Sequence, residues 1–173
     1  ILTNNNMHTS TKATTTGSNN LGIGTFSFSF NTTGSDNVGV GTNALNNNIT
    51  GNQNVSIGSQ SLFGNNSATN TVAIGYQAGA GAYSAYHNQG GTYIGSNAGF
   101  NLLTGSDYNT LIGINAGFNL TTGSQNVVLG GDASTLNTLS TGSNNILRGD
   151  GVSATTSSAS SSLNVGNILC GTG

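Results

Sequence analysis

Asn54-Val55-Ser56-Ile57-Gly58 returns, with substitutions, along almost the whole chain. Taking its last residue as a marker gives Gly24, Gly41, Gly58, Gly75, Gly95, Gly113, Gly130, Gly149 and Gly166, at successive steps of 17, 17, 17, 20, 18, 17, 19 and 17 residues. A near-constant step of this length is the mark of a solenoid, in which each repeat is one coil laid on the last. One residue before the marker stand Ile23, Val40, Ile57, Ile74, Ile94, Ile112, Leu129, Arg148 and Val165, and three before it stand Leu21, Val38, Val55, Val72, Thr92, Thr110, Val127, Ile146 and Leu163. Alternate apolar residues, mostly β-branched, read as a short strand with these two columns turned into the coil. The sequence therefore predicts an all-β chain: a parallel β-solenoid of about nine coils of 17–20 residues.

Other columns fill in the coil. Four before the marker are Asn20, Asn37, Asn54, Thr71, Gly91, Asn109, Asn126, Asn145 and Ser162; three after it are Ser27, Ala44, Ser61, Ala78, Ala98, Ala116 and Ala133. The Asn column is placed to form side-chain amide ladders along the stack. The Ala column is expected to open a second, shorter strand, so that a coil runs strand, turn, strand, turn. Thr-Gly-Ser and Thr-Gly-Asn at the junctions are turn chemistry, with glycine free to take positive φ.

The organisation follows from the fit to these columns. Residues 1–16 fit poorly and read as a degenerate first coil or entry segment. Residues 17–151 are the repeats, and 152–173 are a looser Ser/Thr/Ala-rich loop and last coil. The fourth unit carries the longest insertion, with Tyr83, Tyr86 and His87. The chain begins at Ile1 and stops in mid-pattern at Gly173, which reads as a segment of a longer protein leading to a C-terminal region not included in it.

Composition narrows the function. Only six of 173 residues are charged, counting two Lys or Arg and four Asp or Glu. Lys12 and Arg148 are the only cations, too few for the many phosphate contacts that nucleic-acid binding needs. Neither a membrane-spanning apolar run nor a signal peptide is visible. The single cysteine, Cys170, excludes an intrachain disulfide and reads as a small apolar residue.

One coil cannot stand alone: its two or three aliphatics do not offset the entropy of ordering 17 residues, so coils must stack. Between the two apolar columns lie Gly22, Gly39, Ser56, Ala73, Tyr93, Leu111, Val128, Leu147 and Asn164, which by alternation should face outward. An outer face that is apolar rather than charged should be covered, most simply by another copy of the chain. A homo-oligomer with its axis along the stack is expected.

The runs NTVAIGYQAGA (70–80), NVSIGSQSL (54–62) and NTLIGINAGF (109–118) resemble the YadA-like head repeats of trimeric autotransporter adhesins. The longer coils and Thr-Gly-Ser-Asn-Asn turns resemble repeats of tail-fibre and surface-fibre proteins of phages, large viruses and some bacteria. SLNVGNILCGTG at 162–173 is similar to the junction before a trimerising, often self-cleaving chaperone domain in such fibres. The resemblance spans about residues 17–173. It implies a left-handed parallel β-roll in a homotrimer, at the cell surface or on a virion. The coil length of 17–20 residues departs from the shorter autotransporter unit.

Candidate chemistry is sparse. Asp36, Asp107, Asp132 and Asp150 are the only carboxylates, and Asp36 and Asp107 share the turn position of Asn19, Gln53, Gln125 and Asn144. His8 and His87 lack a Cys or acidic neighbour, so neither a metal site nor a catalytic set is expected, and no cofactor. Gly22-x-Gly24 and Gly39-x-Gly41 precede no helix and are not nucleotide-binding loops. Arg148-Gly149-Asp150 spells a cell-attachment tripeptide but sits where the coil loosens. The binding candidates are Tyr83, Tyr86 and His87, aromatic residues on the insertion that could stack on a cell-surface glycan or contact a receptor. The reading is a non-enzymatic structural fibre segment, a rigid spacer and attachment module. The alternatives are an ice-binding solenoid, for which Thr33, Thr50, Thr104, Thr122 and Thr141 form a rank, and a non-catalytic part of a glycan-degrading tail spike.

Overall fold

A computed structural model of the chain describes residues 7–8, 16–83, 85–131, 139–149, 151–152 and 154–166. It contains ten short strands: β1 (Met7–His8), β2 (Leu21–Ile23), β3 (Val38–Val40), β4 (Val55–Ile57), β5 (Val72–Ile74), β6 (Thr92–Ile94), β7 (Thr110–Ile112), β8 (Val127–Leu129), β9 (Ile146–Arg148) and β10 (Leu163–Val165). They form one sheet in sequence order, every pair parallel. Val55 pairs with Val72 and Ile57 with Ile74, so each rung places column on column. The chain is an all-β parallel β-solenoid, as the marker spacing predicts. Strand pairing also extends to Met7–His8, which lies on β2.

The marker glycines let each coil lie directly on the next. Gly58 has φ 134°, a value L side chains rarely adopt, and a Cβ there would strike the carbonyl of Gly75 on the next coil. Its N–H donates to the Val40 carbonyl oxygen at 2.7 Å, and the Gly75 N–H donates in turn to Ile57 at 2.8 Å.

The inside and outside of the strand are the reverse of the expectation. Within β2 to β8 the middle residue is buried and its two flanks are half-buried or exposed. Gly22, Gly39, Ser56, Ala73, Tyr93, Leu111, Val128 and Leu147 point into the coil, whereas the Val/Ile/Leu columns form its outer face. The cause is the narrow bore of a 17-residue coil, which has room for few side chains per rung. Size is shared across it. Where the strand offers Gly39, the ring of Phe28 fills the space, with its Cε2 2.7 Å from where a Cβ would be. Where the strand offers Tyr93 or Leu111, the opposite wall carries Gly79, Gly99 or Gly117, whose added Cβ would meet those side chains.

The expected second strand is absent from the described residues. The Ala column lies in a run of turns, with the Ala44 N–H donating to Gly41 and the Asn46 N–H to Asn43. Alternate residues there are left-handed, such as Asn43 and Leu45 (φ 59° and 50°) or Gln60 and Leu62 (φ 60° and 49°). Alternation turns successive N–H groups toward opposite neighbours: Asn43 donates back to Thr25 at 2.9 Å, and Leu45 donates forward to Ser61 at 3.0 Å. The wall is therefore hydrogen-bonded to both adjacent coils without being a strand.

The Asn column forms the predicted ladder. Asn37 Nδ2 donates to Asn20 Oδ1 (3.0 Å) and to the Gly51 carbonyl oxygen (2.9 Å), and its backbone N–H also reaches Asn20 Oδ1 (3.1 Å). Asn54 repeats this on Asn37, Asn126 on Asn109, and Asn145 on Asn126. The ladder breaks at Thr71 and Gly91, where the phenol of Tyr93 occupies the place of an amide. A second ladder runs two residues earlier in the coil. Ser35 Oγ accepts from the Ser18 N–H at 3.0 Å, Asn52 Oδ1 from Ser35 at 2.8 Å, and Asp107 Oδ1 from Gln89 at 3.0 Å. This corrects the placement of Asp107: Tyr108 (φ 57°), not Asp107, holds the left-handed turn position of Asp36.

Candidate functional site

Two features could meet a partner: the outer strand face and the region around the insertion. The strand face is a ribbon two columns wide and nine rungs long. Fifteen of its eighteen positions are Val, Ile or Leu; Thr92, Thr110 and Arg148 are the others. Ile23, Ile57, Ile74, Ile112, Ile146 and Leu163 are exposed, Leu163 to 70%. At the edge just past the marker glycines, Phe26, Tyr76 and Ile114 are exposed too. Phe100 and Phe118 stack with ring centres 5.3 Å apart. At the parallel-strand spacing of about 4.8 Å, the nine rungs span roughly 40 Å and the ribbon roughly 400 Å2.

The insertion is absorbed without breaking the stack. Strands β5 and β6 pair in register across the 20-residue coil, and bridges Asn65 to Tyr86 and Thr69 to Gln89 carry the pairing past the extra residues. The added length is taken up by a 3-10 turn, Gly81–Tyr83, in which Ala82 is left-handed (φ 45°).

Tyr83, Tyr86 and His87 do not form a surface cluster. Tyr86 is fully buried; its hydroxyl donates to the Gly79 carbonyl oxygen and its ring packs on Gly81, where any Cβ would collide with it. The expected contact role of Tyr86 is corrected on this ground: its ring fills the enlarged coil. Burial pushes its hydroxyl well above the ordinary tyrosine range, so it stays protonated. His87 is exposed, with Nδ1 2.8 Å from Ser67 Oγ and its backbone N–H donating to Thr104 Oγ1 at 3.2 Å. The backbone of Tyr83 lies in the 3-10 turn, and its side chain lies outside the described residues.

Beside the insertion is a groove of about 310 Å3 that the sequence columns do not announce, lined by Phe30, Asn47, Ile49, Asn66 and Ala85. Its one sequence signal is an exception: Phe30 stands six residues after its marker glycine, where later coils have Asn47, Asn101 and Asn119.

The remaining candidates are scattered. Thr33, Thr50, Thr104, Thr122 and Thr141 are all exposed, but by the coil step Ser67 and His87 interrupt the rank. Asp36 Oδ1 accepts from Asn19 Nδ2 at 2.9 Å in a turn. Arg148 is exposed at the end of β9. The side chain of His8, and Lys12, Asp132, Ala133, Asp150 and Cys170 entirely, lie outside the described residues. Among the described residues no group of three or more His, Cys, Asp or Glu could hold a metal ion, and no helix is long and apolar enough to cross a membrane. No protein family, curated protein or solved structure matches this chain.

Proposed function

We propose that this chain is a shaft or head segment of a surface-exposed structural fibre, of the adhesin or tail-fibre kind, acting as a rigid spacer and an attachment module without catalysis. In the proposed assembly, three copies turn their strand faces toward a common axis along the stack. The observation that carries this reading is the apolar ribbon: nine rungs of mostly branched aliphatics on the outer face, with Arg148 as their single charge. At about 25 cal/mol per Å2, covering roughly 400 Å2 of it stabilises each copy by about 10 kcal/mol before the cost of association. An unbroken, in-register ribbon suits copies aligned side by side, since every rung meets its counterpart at the same height. Three is the number in the repeats that the sequence resembles.

Sedimentation velocity together with electron microscopy tests the proposal. An elongated particle of three times the chain mass is expected, and Ile74→Lys, in the middle of the ribbon, should shift it to monomers. A compact monomer at micromolar concentration would end the fibre reading.

A further inference from the structure

We infer that the groove between Phe30 and the insertion is a carbohydrate subsite that takes one ring of a neutral glycan. This gives the attachment role proposed above a chemical class, and rests on that reading only for the groove staying open in the assembled fibre.

The groove has the two surfaces that a pyranose needs. Phe30 is 58% exposed, and Ile49 and Ala85 extend the apolar floor. The C–H face of a sugar packs on such a surface. Around it stand two amides, Asn47 and Asn66. Their neighbours in sequence are committed to the fold: Asn46 Nδ2 donates to Phe26, Asn48 Nδ2 to Gly51, and Asn65 Nδ2 to the Asn88 carbonyl oxygen. The side-chain amides of Asn47 and Asn66 have no such bond among the described residues: the Asn47 backbone N–H donates to Phe63, the Asn66 backbone N–H donates to Tyr86, and the Asn66 carbonyl oxygen accepts from Ile49 and Thr50. Each offers a donor pair and an acceptor, the complement of vicinal hydroxyls, which are both donors and acceptors. No lining residue is charged, which favours a neutral sugar over a sialylated or sulfated one. The volume lies at the small end of ligand sites, which run from about 300 to 1,000 Å3.

The site is also placed to remain free. Ile49 follows Val40 by nine residues in a 17-residue coil, half a circuit from the strand face. Three separate coils and the insertion contribute to it, so the 20-residue coil gains a purpose that its buried Tyr86 does not supply.

The test is an array of immobilised neutral and acidic oligosaccharides probed with the full chain, followed by calorimetric titration of the best neutral hit. Retention on neutral glycans is expected. Phe30→Ala and Asn66→Ala should each weaken binding about tenfold or more, and Ala85→Leu, which fills the groove from an exposed position, should abolish it. Tyr108→Ala, at an exposed aromatic outside both the groove and the strand-face ribbon, should leave it unchanged. Absence of any neutral hit, a preference for acidic glycans, or full affinity in Phe30→Ala with melting unaltered would overturn the inference. Sedimentation of the same samples separates the two proposals: a sugar-binding monomer sinks the fibre and supports the subsite, and a trimer that ignores every glycan does the opposite.

Discussion

A methyl group on Gly58 meets two obstacles, a φ of 134° and the carbonyl of Gly75 in the coil above. Gly105 meets only one: its φ is 95°, and nothing lies within 4 Å of the place a Cβ would take. The pair isolates stacking from strain. Gly105→Ala is expected to cost about 1 kcal/mol, the ordinary penalty of a left-handed L-residue. Gly58→Ala should cost about 3 kcal/mol or more, because the backbone must also separate two coils. Denaturant unfolding followed by circular dichroism reads the difference, and equal costs would mean that the coils do not press on one another at the markers. This position was legible in the sequence, since no other residue recurs through nine coils. The direction of its neighbours was not. Period-two alternation defines two faces without saying which is inside, and hydrophobicity chose wrongly, because Gly39 and Ala73 face the bore while Val38 and Ile74 face out. The reciprocal sizes of Gly39 with Phe28 and of Tyr93 with Gly79 carry that information in hindsight.

At the scale of the element, the Asn ladder does what the short strands cannot. No described strand is longer than three residues, yet before β2–β4 and β7–β9 the backbone is pinned by an amide buried between coils. Asn37 is the best place to measure this, since it donates to Asn20 and Gly51 and accepts from both the N–H and Nδ2 of Asn54. Asn37→Ala leaves the backbone N–H and one Nδ2 hydrogen of Asn54 buried without an acceptor, each a loss of about 1–3 kcal/mol, so a total of about 3 kcal/mol or more is expected. Asn37→Asp keeps the shape and both acceptor bonds but sets a carboxylate against Asn20 Oδ1 and the Gly51 carbonyl. It should be the worse variant at pH 7 and recover relative to Asn37→Ala in acid, where the protonated group can donate again. Thermal melts of the two variants at pH 7 and pH 4 decide it; an Asp variant as stable as wild type at pH 7 would remove the ladder from the argument. This ladder was readable as a column of Asn. The turn wall was not, because Ala44 and Leu45 are acceptable strand residues by type, and only the left-handed backbone of Asn43 and of Leu45 itself forbids a strand.

For the whole molecule, additivity explains what could be read in advance. Coils contact their neighbours along the stack, so one repeat decoded is the fold decoded, and the 20-residue coil stands out by length alone. The groove is invisible for the same reason: it belongs to no column, being made by Phe30, Asn47 and Asn66 from successive coils. The same architecture sets the response to pH. The chain has four carboxylates and two histidines, whereas Tyr86 and Tyr93 are wholly enclosed in the bore. Burial raises the hydroxyls of both Tyr86 and Tyr93 above the ordinary value of 10.0. In the unfolded chain both release their protons near that value, while the folded chain keeps them, so alkali favours unfolding. Stability is therefore expected to be level up to about pH 9 and to fall beyond pH 10 by about 1.4 kcal/mol per pH unit for each buried tyrosine. Melting midpoints at pH 7, 9, 10.5 and 11 give the slope. Tyr86→Phe should lower the midpoint at pH 7, through the lost bond to Gly79, and halve the alkaline slope. A midpoint that holds at pH 11 would mean that these rings reach water, and that the bore is not the closed, dry interior that the packing of Tyr93 against Gly79 and Gly91 requires.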